Sequence, residues 1–481
     1  MTSLAGAAAR GAAQSLLAQF LRFAIQFGAL MILARLLTPG DYGTVALVTA
    51  ITGLALLLAD FGLSSAAIQA REISHQQKSN LFWLNTAVGL VVSVVVFFAA
   101  YPISWFYGRP ELVPVAQVLS VVFLLYAVTA QFRAEASKAL RFKAMAIADV
   151  VAQLLSFSAA IVAALLGSTY WALVLQQVLS AFLLLVMLWV ASRWTPTWPS
   201  RKASIRPLVS FGVNNLGVQL ITYASNNIDS VLIGRFWGVE QLGLYSRAYQ
   251  LYRLPLQQLA APMTRVAFPV LSKIEDDATF QRYVRQAQLL QMYVIGGVFF
   301  AATALCSPLV EIVLGPDWDE TKGLFAVLAI GGVFQTLGYV YFWVFLSRAL
   351  TGMQLRYTLL SRSFMIALMF AGVPWGAFGV AIGMTAGLLL NWVILTFRAM
   401  PKAGLAPRPL VVAAIRPMTL YTAMLLIAAP VIWLTWNLEP WWQILAIVPT
   451  MGAVLVLAYI AIPSIRRDVA DVLRMAKRVR R

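Results

Sequence analysis

Apolar residues run in long unbroken stretches, separated by brief polar interruptions. Windows of about 20 apolar residues, the length a membrane helix needs, centre in 14–34, 44–69, 81–105, 113–132, 145–167, 169–192, 208–234, 243–264, 287–310, 323–347, 354–374, 376–397, 417–437 and 441–463. The pattern predicts fourteen spans, with soft boundaries across 145–192. The stretches lack the alternation of apolar and polar residues that marks barrel strands, so they read as helices. They fill most of the 481 residues, and no connection is long enough to form a soluble domain. The expected fold is an all-α polytopic membrane protein.

Composition agrees. Hydrophobic residues make up 61% of the chain and charged residues 11%, against about 25% charged in soluble domains. The mean hydropathy is +0.80. Soluble, collagen-like, disordered and disulfide-scaffold classes are excluded.

The charges test the span count. With the N-terminus in the cytoplasm, 28 of the 36 Lys and Arg fall in cytoplasmic connections and termini, among them Arg133, Lys138 and Arg141. The outer set is Arg35, Arg109, Arg235 and Lys322, and Arg22, Arg247, Arg253 and Arg362 lie within spans. Such asymmetry is the positive-inside bias, with both termini cytoplasmic. The net charge of +18 therefore needs no nucleic-acid partner. The tail 464–481 places Val469, Val472, Leu473 and Ala476 on one helical side. A basic amphipathic helix of this kind is expected to lie on anionic membrane lipids. The first apolar stretch contains Gln19, Arg22 and Gln26 and is too long for a cleaved signal, so it is expected to be retained.

Reactive chemistry is sparse. Cys306 and His75 are the single residues of their kinds. No disulfide framework, metal cluster, nucleophile–histidine arrangement or phosphate loop can be built from them, and no cofactor is expected. A polymerase or ligase would be expected to present a large outer loop; the segment 311–322 (EIVLGPDWDETK) is short. The expectation is a protein that is not an enzyme.

The chain repeats itself at an offset of 200. Segment 15–43 aligns without gaps on 215–243, with Leu16/Leu216, Gln19/Gln219, Ala24/Ala224, Arg35/Arg235 and Gly43/Gly243 identical. Each copy has an Arg at the outer helix end and a Gly opening the next helix. Both copies run from inside to outside, which predicts two pseudo-symmetric six-helix lobes, 1–195 and 200–400. The helix pair 417–463 stands outside the repeat.

Polar residues form stripes inside three spans. The first carries Ser15, Gln19, Arg22 and Gln26, at steps that keep them on one face. The seventh carries Asn215, Gln219, Thr222, Asn226 and Asp229, and the eighth Arg247, Gln250, Arg253 and Gln257. A central Arg or Asp costs about 2.5–3.5 kcal/mol on insertion scales. Three such faces point either to a water-filled interior or to helices joined by hydrogen bonds. Arg22 and Arg253 lie roughly 12 and 15 Å from the nearer helix ends at 1.5 Å per residue, too deep to snorkel comfortably. Asp60, Asp149 and Asp229 are the acids within spans. Asp149 is expected near its inner helix end in a structural or capping role; Asp60 and Asp229 are candidates for ion coupling or for pairing an arginine. Guanidinium groups match phosphate, with five donors in a planar fork, and amides suit sugar hydroxyls. The pattern reads as a phosphate-plus-carbohydrate site, with an apolar slot for a lipid tail at a lateral gap or at 417–463.

The segments ILARLLTPGDYGTVAL, ADFGLSSAAIQ and DSVLIGRFWGVEQLGLYSRAYQLYRLPLQQLAAPMTRVAFPVLSKI resemble those of Wzx-type polysaccharide exporters. These belong to the multidrug/oligosaccharidyl-lipid/polysaccharide (MOP) superfamily, with lipid II flippases as relatives, and the colanic-acid-exporter-like branch is the nearest in pattern. The resemblance implies a flippase that moves undecaprenyl-diphosphate-linked oligosaccharides across the bacterial inner membrane by alternating access. It implies that Arg22, Arg247 and Arg253 contact the diphosphate, while Gln19, Gln26, Asn215, Gln219, Asn226, Gln250 and Gln257 line the cavity. Polysaccharide polymerase and chain-length machinery are partners such a role would bring. A multidrug/cation antiporter of the same superfamily is the alternative, although its cavity should be acidic and aromatic.

Overall fold

The computed structural model describes the backbone of residues 2–60, 74–200, 203 and 205–479. Side chains of 2–18, 54–60, 206–222, 224, 225, 261, 265 and 472–479 lie outside the described residues.

The spans form helices in the expected order. They are α1 (Thr2–Leu36), α2 (Pro39–Asp60), α3 (His75–Tyr107), α4 (Leu112–Lys138), α5 (Phe142–Leu165) and α6 (Trp171–Ser192). Next, the long element Arg206–Pro255 breaks at Gly238 into α7 (206–237) and α8, which starts at 239. A π-turn, Leu256–Ala260, joins the first part of α8 to Ala261–Leu271. Then come α9 (Asp277–Ala304, with a π-turn at Met292–Gly296), α10 (Asp319–Ser347), α11 (Thr351–Gly372) and α12 (Gly376–Ile394). The last are α13 (Pro407–Thr435), α14 (Pro440–Ala461) and the tail helix α15 (Pro463–Val479). Among the described residues, 10 stretches are long and apolar enough to cross a membrane; one of them, Thr351–Ala399, holds both α11 and α12. With α2, α7 and α8 the membrane-spanning set has fourteen helices.

The chain packs as two compact units, 1–243 and 244–481. In the first, α3 packs on α4, α4 on α6, α5 on α6 and α2 on α4. The second repeats these pairings six helices later: α9 on α10, α10 on α12, α11 on α12 and α8 on α10. In α12, Gly379, Gly383 and Gly387 recur every fourth residue, and a Cβ at any of them would overlap α11. Small residues let helices approach where lipid supplies no hydrophobic drive.

The offset of 200 also shows within the first unit. A Cβ on Gly43 would strike the Val239 carbonyl, and one on Gly243 would strike the Pro39 carbonyl. Adding 200 to Gly43 and subtracting it from Val239 gives the second contact, Gly243 on Pro39, so the two are exchanged as about a local two-fold axis. The two turns at this crossing occupy corresponding positions in the repeat but are built differently. Thr38 caps α2: its N–H and hydroxyl both donate to the Asp41 carboxylate (2.9 and 2.7 Å), and the Asp41 N–H donates back to the Thr38 hydroxyl. The corresponding Gly238 has φ 82°, which favours glycine and which Thr38 does not adopt.

The connection after α6 belongs to the first unit. Trp194 packs with Phe82, Phe132 and Leu188. The Asn80 amide donates to the Ser200 and Ala203 carbonyls, and the Trp83 indole donates to that of Thr197.

Candidate functional site

The first unit gathers two arginines on one carboxylate. The Arg22 guanidinium from α1 reaches the Asp149 carboxylate at 2.7 Å, and that of Arg133 from α4 reaches it at 2.6 Å. Asp149 is 18% exposed, Arg22 36% and Arg133 40%. Of the structural and capping roles expected for Asp149, capping is excluded: its carboxylate pairs two arginines instead. It stands seven residues inside α5, which begins at Phe142, earlier than the apolar window suggested. Nor is Arg133 a loop residue: it lies in α4, which runs to Lys138. Equal depth across the tight α4–α5 turn brings the two together. Two positive charges against one negative leave this half-exposed cluster net positive.

In the second unit, Arg253 is exposed, with its guanidinium 5.8 Å from the centre of the Tyr249 ring. That distance suits a cation–π contact. Both Arg253 and Arg362 act electrostatically on the buried Tyr252, and Arg253 acts on Tyr339. The arginines of α8 and α11 are thus set among tyrosines. Arg247 and Gln250 are half-buried, and Gln257 is exposed in the π-turn.

The remaining predicted residues are scattered in exposure. Gln19 is half-buried, while Gln26 and Asn226 are exposed. Asp229 is 2% exposed, and its carboxylate accepts from the Ser230 N–H at 2.7 Å. The side chains of Asp60, Asn215 and Gln219 lie outside the described residues. Among the described residues no group of three or more His, Cys, Asp and Glu is placed to hold a metal ion.

Two hollows accompany these clusters. In the first unit a cavity of about 330 Å³ is lined by Thr49, Thr52, Gly53, Leu119, Val122, Phe123, Tyr126, Gln177 and Tyr223. The Tyr223 hydroxyl donates to the Thr49 carbonyl at 3.0 Å. In the second unit an apolar groove of about 590 Å³ runs between α13 and α14, with Arg416 on its wall. Arg416 donates to both Asp468 oxygens at 2.9 Å, and the Tyr293 hydroxyl donates to the same carboxylate at 3.3 Å. This cluster fastens α15 to α13 and α9.

The described residues build an all-helical, multi-pass membrane fold with two lobes and arginines within its spans. The chain matches the polysaccharide biosynthesis protein family over residues 32–323 and belongs to it. It is a multi-pass membrane protein of the polysaccharide biosynthesis family. It is 27% identical over 398 residues to the lipopolysaccharide biosynthesis protein WzxC of Escherichia coli, covering 80% of each chain. It is 29% identical over 290 residues to the teichuronic acid biosynthesis protein TuaB of Bacillus subtilis, and this match spans only 60% of that relative's length. Its fold is that of the lipid II flippase MurJ in an inward closed conformation, with TM-score 0.70 and 13% identity over 92% of this chain and 98% of that one.

Proposed function

We propose that this transporter flips undecaprenyl-diphosphate-linked oligosaccharide repeat units from the inner to the outer leaflet of the bacterial plasma membrane by alternating access, with both termini cytoplasmic. The observation that carries this reading is the pair of guanidiniums on Asp149, a net-positive cluster drawn from three membrane helices. An excess of fork-shaped cationic donors favours a multiply charged phosphate over an organic cation. Arg22, Arg247 and Arg253 hold the diphosphate in this scheme, and Arg133 joins them. The amides Gln19, Gln26, Asn215, Gln219, Asn226, Gln250 and Gln257 line the route of the sugars. The groove between α13 and α14 offers apolar walls for part of the polyprenyl chain.

The test is mass spectrometry of lipid-linked sugars in a deletion strain complemented with variants. Loss of the gene should leave lipid-linked repeat units facing the cytoplasm. Arg22→Ala and Arg253→Ala should abolish polymer export with the protein still in the membrane, and Lys should rescue partly because it lacks the fork. Normal export by both Ala variants would overturn the assignment.

A further inference from the structure

The cavity in the first unit and the Asp149 cluster share a helix face. Along α4, the wall residues Leu119, Val122, Phe123 and Tyr126 stand at the i, i+3, i+4, i+7 spacing of one stripe. Arg133 continues that stripe, seven residues beyond Tyr126. Two turns at 1.5 Å per residue put it about 10 Å from Tyr126. Arg133 also acts electrostatically on Tyr126.

The lining is not that of an ordinary apolar packing defect. Gln177 from α6 and Tyr126 are half-buried, and their polar groups make no hydrogen bond among the described residues. Phe123 and Tyr223 add aromatic surface. The Tyr223 hydroxyl is spent on the Thr49 carbonyl, which fixes its ring as a wall. About 330 Å³ lies near the small end of ligand pockets, which run from about 300 to 1,000 Å³. That is room for one sugar ring and not for a chain. Aromatic walls with an uncommitted amide and phenol match a pyranose, which has apolar C–H faces and a rim of hydroxyls.

From this we infer that the cavity bounded by Tyr126, Gln177 and Tyr223 is a saccharide subsite, taking the sugar next to a phosphate held by Arg22 and Arg133. Asp149 positions those two arginines. The inference rests on the flippase reading and adds to it a residue-level basis for choosing among glycans.

The test uses the full-length protein in lipid nanodiscs. The probes are farnesyl diphosphate alone and farnesyl diphosphate bearing one glucose, galactose or N-acetylglucosamine. For the wild-type protein, at least one glycosylated probe should bind about tenfold more tightly than the bare diphosphate. Gln177→Ala and Tyr126→Phe should shrink that ratio toward one, while leaving the affinity for the bare diphosphate unchanged. Arg133→Ala should weaken every probe equally and keep the ratio. If none of the three sugars adds affinity, or if the ratio survives in both cavity variants, the subsite is refuted and the flippase reading stands. If the wild type binds neither bare nor glycosylated diphosphate, the flippase reading itself fails.

Discussion

Replacing Asp149 with Asn keeps the shape of the side chain and removes the charge that holds Arg22 and Arg133 side by side. Their nitrogens sit 2.7 and 2.6 Å from opposite oxygens of one carboxylate, so the two positive charges are roughly 5 Å apart. At an effective dielectric of about 20 that repulsion is about 3 kcal/mol, and in bulk water it is below 1. Both guanidiniums are more than a third exposed, so screening pulls the cost toward the lower figure. Asp149→Asn should therefore destabilise the protein by about 1 kcal/mol. The decisive variant is the double one. Adding Arg133→Gln removes one of the repelling charges, so Asp149→Asn/Arg133→Gln should unfold at a higher temperature than Asp149→Asn alone. Intrinsic tryptophan fluorescence of purified protein during heating reads this directly. A double variant that melts at or below the lower of the two single variants would show that the three residues do not share one electrostatic unit.

Other perturbations test the fold. Gly43→Ala drives a methyl into the Val239 carbonyl; overpacking of about 1–3 kcal/mol should outweigh the gain of about 1 kcal/mol in helix propensity. Gly28→Ala, where nothing lies within 4 Å, should leave the melting temperature equal or higher. Asp468→Asn leaves Arg416 without its carboxylate, so α15 should loosen and trypsin should cut sooner after Arg466 and Arg467 in a timed digest. At the start of α9 the Thr279 hydroxyl and then its N–H donate to the Asp276 carboxylate, which holds its pKa below the ordinary value. Its stabilisation is thus complete above about pH 4, near the unfolded pKa, and is lost as pH falls through the lower folded value. Asp276→Ala should remove that part of the acid dependence in melting curves taken from pH 5 to pH 2.

Much of the architecture was legible in the residues. Span length and hydropathy are local properties, fixed by bilayer thickness and helical rise, so the order of α1–α14 could be read along the chain. The repeat was legible too, because Gly43 and Gly243 meet the same demand for close backbone approach and any larger side chain would fail there. The stripe on α1 put Arg22 on one face with Gln19 and Gln26, since helical periodicity fixes which residues share a face. What periodicity cannot say is which face meets which neighbour. Arg133 read as one more cytoplasmic cation and Asp149 as a helix-end acid, because the window ended before the helix did. Only the close α4–α5 hairpin, with both residues at equal depth, turned them into one cluster with Arg22. The same holds for Tyr126, Gln177 and Tyr223, which come from three helices and share no local pattern. Helix formation is decided residue by residue, whereas the meeting of charges and the outline of a cavity depend on how the packed helices are set against one another, and that was decided only in the tertiary structure.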